Sequence, residues 1–157
     1  MKPRERRHRL DPLAYAGQGN VFFTACVKHR ARPFANKDRT KVYVEHLEQA
    51  LSHFRCRAVI YCFMPDHLHA VLNGYEGSSD MKGAFDRFKQ TSGFHLRKDG
   101  FEWQKDYYDH VIRKGEDIHE VVAYVGANPV RAGLVESPLD YHGLGAVGFD
   151  ITEVLSH

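Results

Sequence analysis

At 157 residues the chain is long enough to bury one sizeable core and too short for two full domains. Its apolar fraction of 43% and charged fraction of 27% are ordinary for a soluble globular domain. Three cysteines, Cys26, Cys56 and Cys62, are odd in number and contain no C-x-x-C, which argues against a disulfide framework and a thiolate zinc site; with no apolar leader and no run of membrane-spanning length, a reducing, cytoplasmic setting is expected.

The net charge of +2 says little, but its distribution says more. After Arg131 no Lys or Arg occurs, while Glu136, Asp140, Asp150 and Glu153 are acidic; at the other end Lys2, Arg4, Arg6, Arg7 and Arg9 crowd the first nine residues. A cluster of that density either tracks phosphates or solubilises a tail. Residues 1–19 are read as a basic arm ending in the turn Gly17-Gln18-Gly19.

Asn20 to Lys28, with Val21, Phe22, Phe23, Thr24 and Val27, reads as a first strand, and Pro33 interrupts the basic loop that follows from His29 to Phe34. From about Asp38 the positions Tyr43, Leu47, Ala50, Leu51 and Phe54 form the stripe of an amphipathic helix. Arg57 to Phe63 is a strand-length apolar run, Met64-Pro65-Asp66 a tight break, and His67 to Asn73 a strand antiparallel to the first of the pair. A polar turn offering Ser79 or Asp80 as N-cap leads into a second helix, with Met81, Ala84, Phe85, Phe88 and Leu96 on one side and Lys82, Arg87, Lys89, Arg97 and Lys98 elsewhere. Beyond Asp99-Gly100 lies the only tryptophan, Trp103, a residue that either stacks a base or packs against a core, and Tyr107 to Arg113 has strand composition. The order β-α-β-β-α-β predicts an α+β, ferredoxin-like antiparallel sheet with helices on one face and the other face open to a ligand.

On the strand after the Pro65-Asp66 break, side chains alternate between faces, so His67 and His69 point one way while Leu68 anchors the other side in the core. Two neighbouring imidazoles are half of a metal site; alone they are equally a polar strand face. A third helix is signalled from Asp117 by Ile118, Val121, Val122 and Val125, and Pro129 is expected to end it near Asn128. Tyr124 and Asn128 lie one turn apart on the border of its apolar stripe. Two imidazoles and a carboxamide oxygen suit Mn²⁺ or Mg²⁺ better than a closed zinc centre, leave positions for water and a phosphate oxygen, and would hold that phosphate for attack by the tyrosine. Tyr107 and Tyr108 are rival nucleophiles, only one of which reaches the open face of a strand.

These residues carry a resemblance. Pro65-Asp66-His67-Leu68-His69, Trp103-Gln104-x-x-Tyr107-Tyr108-Asp109-His110-x-Ile112-Arg113 and Tyr124-x-x-x-Asn128-Pro129-Val130-x-x-Gly133-Leu134-Val135 resemble, in that order, the motif series of the REP-associated tyrosine transposases. These form part of the IS200/IS605-like branch of the HUH single-strand endonucleases. The resemblance implies an HUH domain over residues 20–141 that cleaves single-stranded DNA beside a hairpin through a 5′-phosphotyrosine link, leaving a free 3′-OH. It further implies Tyr124 as nucleophile, His67, His69 and Asn128 as ligands of Mg²⁺ or Mn²⁺, and a partner DNA that is single-stranded and hairpin-bearing. Related enzymes also work as homodimers with the tyrosine helix supplied in trans. Arg4, Arg6, Arg7, Arg9, Arg30, Arg32, Lys82, Lys89 and Trp103 are the expected DNA contacts. After Tyr141 the chain departs from the Trp-Ser-rich ending of the family, so residues 142–157 are expected to be a reorganised, partly mobile tail. Two other functions share the same residues: a hairpin-binding protein that has lost turnover, and a metallohydrolase in which the histidines activate water.

Overall fold

A computed structural model describes residues 10–156; Arg4, Arg6, Arg7 and Arg9 of the basic arm lie outside it. The elements run β1 (Gly19–Cys26), α1 (Lys37–His53), β2 (Cys56–Met64), β3 (His67–Gly74), α2 (Met81–Lys98), β4 (Tyr108–Ile112), α3 (Ile118–Arg131), β5 (Leu144–Val147) and α4 (Ile151–Leu155). Short polar side chains start the helices as their chemistry requires: Asn36, Asp80, Asp117 and Asp150 each accept a hydrogen bond from an orphan amide of the first turn. Of the two caps expected for α2, Asp80 serves.

The strands form one antiparallel sheet in the order β4-β1-β3-β2-β5. The first four are the expected ferredoxin-like arrangement, in which β3 separates β1 from β2 and gives the split βαβ crossover. Leu68, Ala70 and Leu72 of β3, with Val21, Phe23 and Ala25 of β1, face α1 and α2 and pack against Tyr43, Leu47, Phe85 and Phe88. On the opposite face Phe22, Ile60, Cys62 and Val71 pack beneath Val122 and Val125 of α3. That second face is therefore not fully open: α3 and α4 cover part of it, burying His69 and leaving His67 partly exposed at the margin. Among the described residues no helix is long and apolar enough to cross a membrane.

Three expectations are corrected. The described part of the arm is built into the domain, since Tyr15 is wholly buried and its hydroxyl donates to Asp109 Oδ2. Pro129 does not end α3, which continues to Arg131. Proline removes the amide that would have bonded to Val125 O, and the side-chain Nδ2 of Asn128 stands 3.5 Å from that same carbonyl, so the break is locally compensated. The helix stops one turn later: Gly133, at φ 74°, and Leu134 donate back to Val130 O and Pro129 O in a Schellman closure.

The third correction concerns residues 142–157, whose described part is an integral layer. β5 extends the sheet beside β2, and α4 packs Ile151, Val154 and Leu155 onto the second core. Glycine makes this docking feasible, because a Cβ on Gly143 would stand 2.4 Å from Phe63 O and one on Gly145 2.3 Å from the Tyr61 hydroxyl. Tyr141 anchors the crossing by donating to Phe63 O at 2.7 Å. A chain ending at Tyr141 is expected to lose at least about 3 kcal/mol of stability, roughly 10 °C in Tm. Thermal unfolding of the shortened and full chains measures it; an unchanged Tm would mean that this layer adds nothing.

Candidate active site

The tight turn at Pro65-Asp66 places His67 first on β3, paired with Met64 of β2 and Cys26 of β1, and His69 two residues on, paired with Cys62 and Thr24. Strand alternation puts both imidazoles on the α3 side, as expected. Their Nε2 atoms converge to 3.2 Å. Each ring is steered from behind: His67 Nδ1 lies 2.7 Å from Asp66 Oδ1, and His69 Nδ1 lies 2.8 Å from Thr24 Oγ1. When both Nδ1 atoms carry the proton, both Nε2 lone pairs are left unprotonated and adjacent.

That donor set fits a cation. Two nitrogens each about 2.1 Å from a shared ion stand about 3.0 Å apart at a right angle and about 3.4 Å apart at the tetrahedral angle. The observed 3.2 Å falls between these. Among the described residues no group of three His, Cys, Asp or Glu could hold a metal, so any further ligand would be of another kind.

His69 is 2% exposed, and burial, with the neighbouring His67 and Arg131 adding to it, pushes its pKa down to about 3. Between its ordinary value of 6.5 and that depressed value, the unfolded chain binds a proton that the folded chain refuses. The stabilisation is present above the unfolded value and fades as pH falls. Metal-free protein is thus expected to lose about 3 kcal/mol from this group by about pH 4. Denaturant unfolding in chelator should show a shallower acid loss for His69→Asn; an identical loss would mean that His69 is not the group responsible.

Tyr124 of α3 reaches this pair within one chain. Its ring lies 5.7 Å from that of His69 and 6.3 Å from that of Phe22, and it is 37% exposed. The rival tyrosines are placed differently. Tyr107 is 2% exposed and donates to Asp86 at 2.6 Å on the α2 side of the sheet. Tyr108 shares the face of His69 but lies two strands away, across Thr24. Asn128 is one turn beyond Tyr124, but its amide is turned back on its own helix, with Nδ2 donating to Tyr124 O at 3.0 Å and Oδ1 3.4 Å from Arg131. His67, His69 and Tyr124 are brought together, while the Asn128 amide is engaged within its own helix.

A family model described as IS200-like transposase matches residues 17–128, a span that contains His67, His69, Tyr124 and Asn128. The chain belongs to the IS200-like transposase family. Relatives of this chain include a putative REP-associated tyrosine transposase of Haemophilus influenzae, 25% identical over 136 residues that cover 78% of this chain and 77% of the relative. A REP-associated tyrosine transposase of Escherichia coli is 29% identical over 80 residues, half of this chain and 47% of its own length. Among solved structures, a REP-associated tyrosine transposase bound to a REP hairpin matches with a TM-score of 0.72 at 20% identity, covering 87% of this chain and 80% of that one. At that identity the structural likeness is one of fold.

The outer basic residues of the chain divide between the two sides of the sheet. Arg30 and Arg32 line a groove of about 410 Å³ with Pro65, Asp66 and His67, so they stand beside the imidazole pair. Their loop is tied to the histidine turn through Val27 N–H and Asp66 O, and His29 and Arg30 both adopt the left-handed backbone region, a conformation held against its cost. Lys82 pairs with Asp86, and Lys89 donates to the carbonyl of Gln104, both on α2 and so on the opposite side. Trp103 is corrected from a base platform to a core residue: it is 6% exposed, packs on Phe34 and Phe88, and donates to Ser92 Oγ. A cleft of about 480 Å³, lined by Lys89 and Trp103, lies there too and exceeds the groove beside the imidazoles, so cleft size does not mark that site.

Two residues of the site were not singled out from sequence. Arg131 lies seven positions after Tyr124, hence on the same side of the helix, and its guanidinium sits 4.9 Å from the Tyr124 ring centroid. Asp66 precedes the histidine pair and orients His67. Asp66→Ala is expected to weaken Mn²⁺ binding roughly 10- to 100-fold, the usual cost of removing such an orienting carboxylate. Titration calorimetry reads this, and unchanged affinity would remove Asp66 from the site.

Proposed function

We propose that this transposase-family protein is a divalent-metal-dependent, single-tyrosine DNA transesterase that cleaves and rejoins single strands beside hairpins or palindromic repeats. The observation that carries the reading is the juxtaposition of an exposed tyrosine with two imidazoles whose Nε2 atoms converge. His67 and His69 would hold Mg²⁺ or Mn²⁺, and Asn128 would be the third ligand if its amide turned away from the helix. When bound, the cation acts as a Lewis acid on the scissile phosphate.

Tyr124 Oη attacks phosphorus, the bond from phosphorus to the 3′ oxygen breaks, the phenolic proton passes to solvent, and the departing oxygen is protonated to a free 3′-OH. The energy of the broken ester is retained in the 5′-phosphotyrosine link, and attack by another 3′-OH reverses the step. Arg131, stacked on Tyr124, fixes the ring and sets a positive charge beside the phosphate. Arg30 and Arg32 hold the strand on the His67 side, and phosphate contacts of this kind make binding salt-sensitive. The reading is supported by the family and by the hairpin-bound REP-associated transposase that shares the fold.

The test is incubation with hairpin-bearing single-stranded DNA and Mn²⁺ or Mg²⁺, followed by denaturing electrophoresis. A covalent adduct is expected. Cleavage without an adduct would indicate the metallohydrolase, and binding without cleavage the non-catalytic hairpin-binding protein.

A further inference from the structure

Beside Tyr124 the surface opens into a small cleft of about 260 Å³, lined by Phe22, Tyr108, His110, Glu120, Val121 and Tyr124. Phe22, 4% exposed, forms its floor. Two phenol rings rise from that floor, Tyr108 from β4 and Tyr124 from α3, with centroids 5.9 and 6.3 Å from Phe22 and interplanar angles of 71° and 77°. His110 on the strand, paired with Glu116, and Glu120 on the helix stand at the rim and bring hydrogen-bonding groups to an otherwise aromatic slot.

We propose that this cleft binds one unpaired nucleobase, that of a nucleotide adjoining the phosphate attacked by Tyr124, by stacking it between Tyr108 and Tyr124 over Phe22. The proposal rests on the transesterase reading only in taking the occupant to be part of a DNA strand. The volume is smaller than the 300 to 1,000 Å³ or so of pockets for drug-sized molecules, which suits a single flat ring system. Aromatic walls favour a base because each nucleobase presents a π-face, while the polar rim meets its hydrogen-bonding edge. The cleft is also continuous with the proposed reaction centre, since one wall is the nucleophile's own ring. A base held there fixes its attached phosphate relative to Tyr124 Oη, so stacking would position the scissile bond as well as bind the strand.

The proposal is tested with hairpin oligonucleotides whose single-stranded flanks are of randomised sequence and carry 2-aminopurine, moved one position at a time. Tyr124→Phe serves as the background because it keeps the wall and prevents turnover. Quenching of the fluorophore at one flank position is expected on binding. Adding Tyr108→Leu, which keeps bulk but has no π-face, should abolish that quenching and weaken binding roughly tenfold, whereas Tyr108→Phe should retain both. Emission unchanged at every position, or quenching indifferent to Tyr108→Leu, would overturn the proposal. Circular dichroism of each variant separates a folding defect from a lost platform, and a misfolded Tyr108→Leu hands the decision to His110→Ala and Glu120→Ala, one of which must shift the base preference at the quenched position if the slot is real. Adduct formation by the unsubstituted protein on the same oligonucleotides is scored separately. Its absence would sink the transesterase reading while the fluorescence still decides the base site.

Discussion

Tyr124→Phe is expected to abolish covalent capture of DNA, by more than about a thousandfold in rate, while leaving fold and DNA binding intact. The substitution removes a single oxygen. The ring remains, and with it the contacts to His69, Phe22 and the Arg131 guanidinium. No other tyrosine is placed to substitute. Tyr107 is buried on the far side of the sheet with its hydroxyl committed to Asp86. Tyr108 is two strands from His69, a separation of about 9.6 Å across the sheet. Denaturing electrophoresis of wild type and variant with the same hairpin strand measures the effect, and an adduct persisting in Tyr124→Phe would move the nucleophile to Tyr108.

His67→Ala is expected to lower Mn²⁺ affinity at least about 100-fold and to suppress adduct formation in parallel. His67 is the better of the two histidines to change. Its side chain is 26% exposed, whereas His69 is 2% exposed, and its loss would leave a hole facing Thr24. In chelator the Tm of His67→Ala should stay within about 2 °C of wild type, a surface-level effect. Calorimetric titration with Mn²⁺ settles the matter. Equal affinity would make the pair a polar strand face and nothing more.

The fold and half of the site could be read from the chain because they rest on short-range periodicity. Period-two alternation placed His67 and His69 on one face and Leu68 on the other, and the structure has them so. Helical spacing likewise carried Tyr124 to the border of the packed side of α3. What resisted reading depends on distant partners. Leu144-Gly145-Ala146-Val147 has weak strand propensity, and its pairing depends on the glycine letting the backbone approach Tyr61. Trp103 is buried because Ser92 offers it an acceptor and Gly93 leaves space beside it, neither visible from the tryptophan's own neighbours in sequence. Pro129 was read by its intrinsic rule, but the amide of Asn128, one residue earlier, covers for the missing hydrogen bond. That amide is thereby engaged within its own helix, which spacing alone had no means to reveal.

The central claim is that Tyr124 and the imidazole pair act as one reaction centre. It is tested most directly by trapping the protein on hairpin-bearing single-stranded DNA with Mn²⁺, digesting it with protease and nuclease, and locating the nucleotide by mass spectrometry. The account predicts a nucleotide linked through its 5′ phosphate to the peptide containing Tyr124, absent when Mn²⁺ is chelated or His67 is Ala. A nucleotide on Tyr108, or one on Tyr124 that forms equally well in chelator, would contradict it.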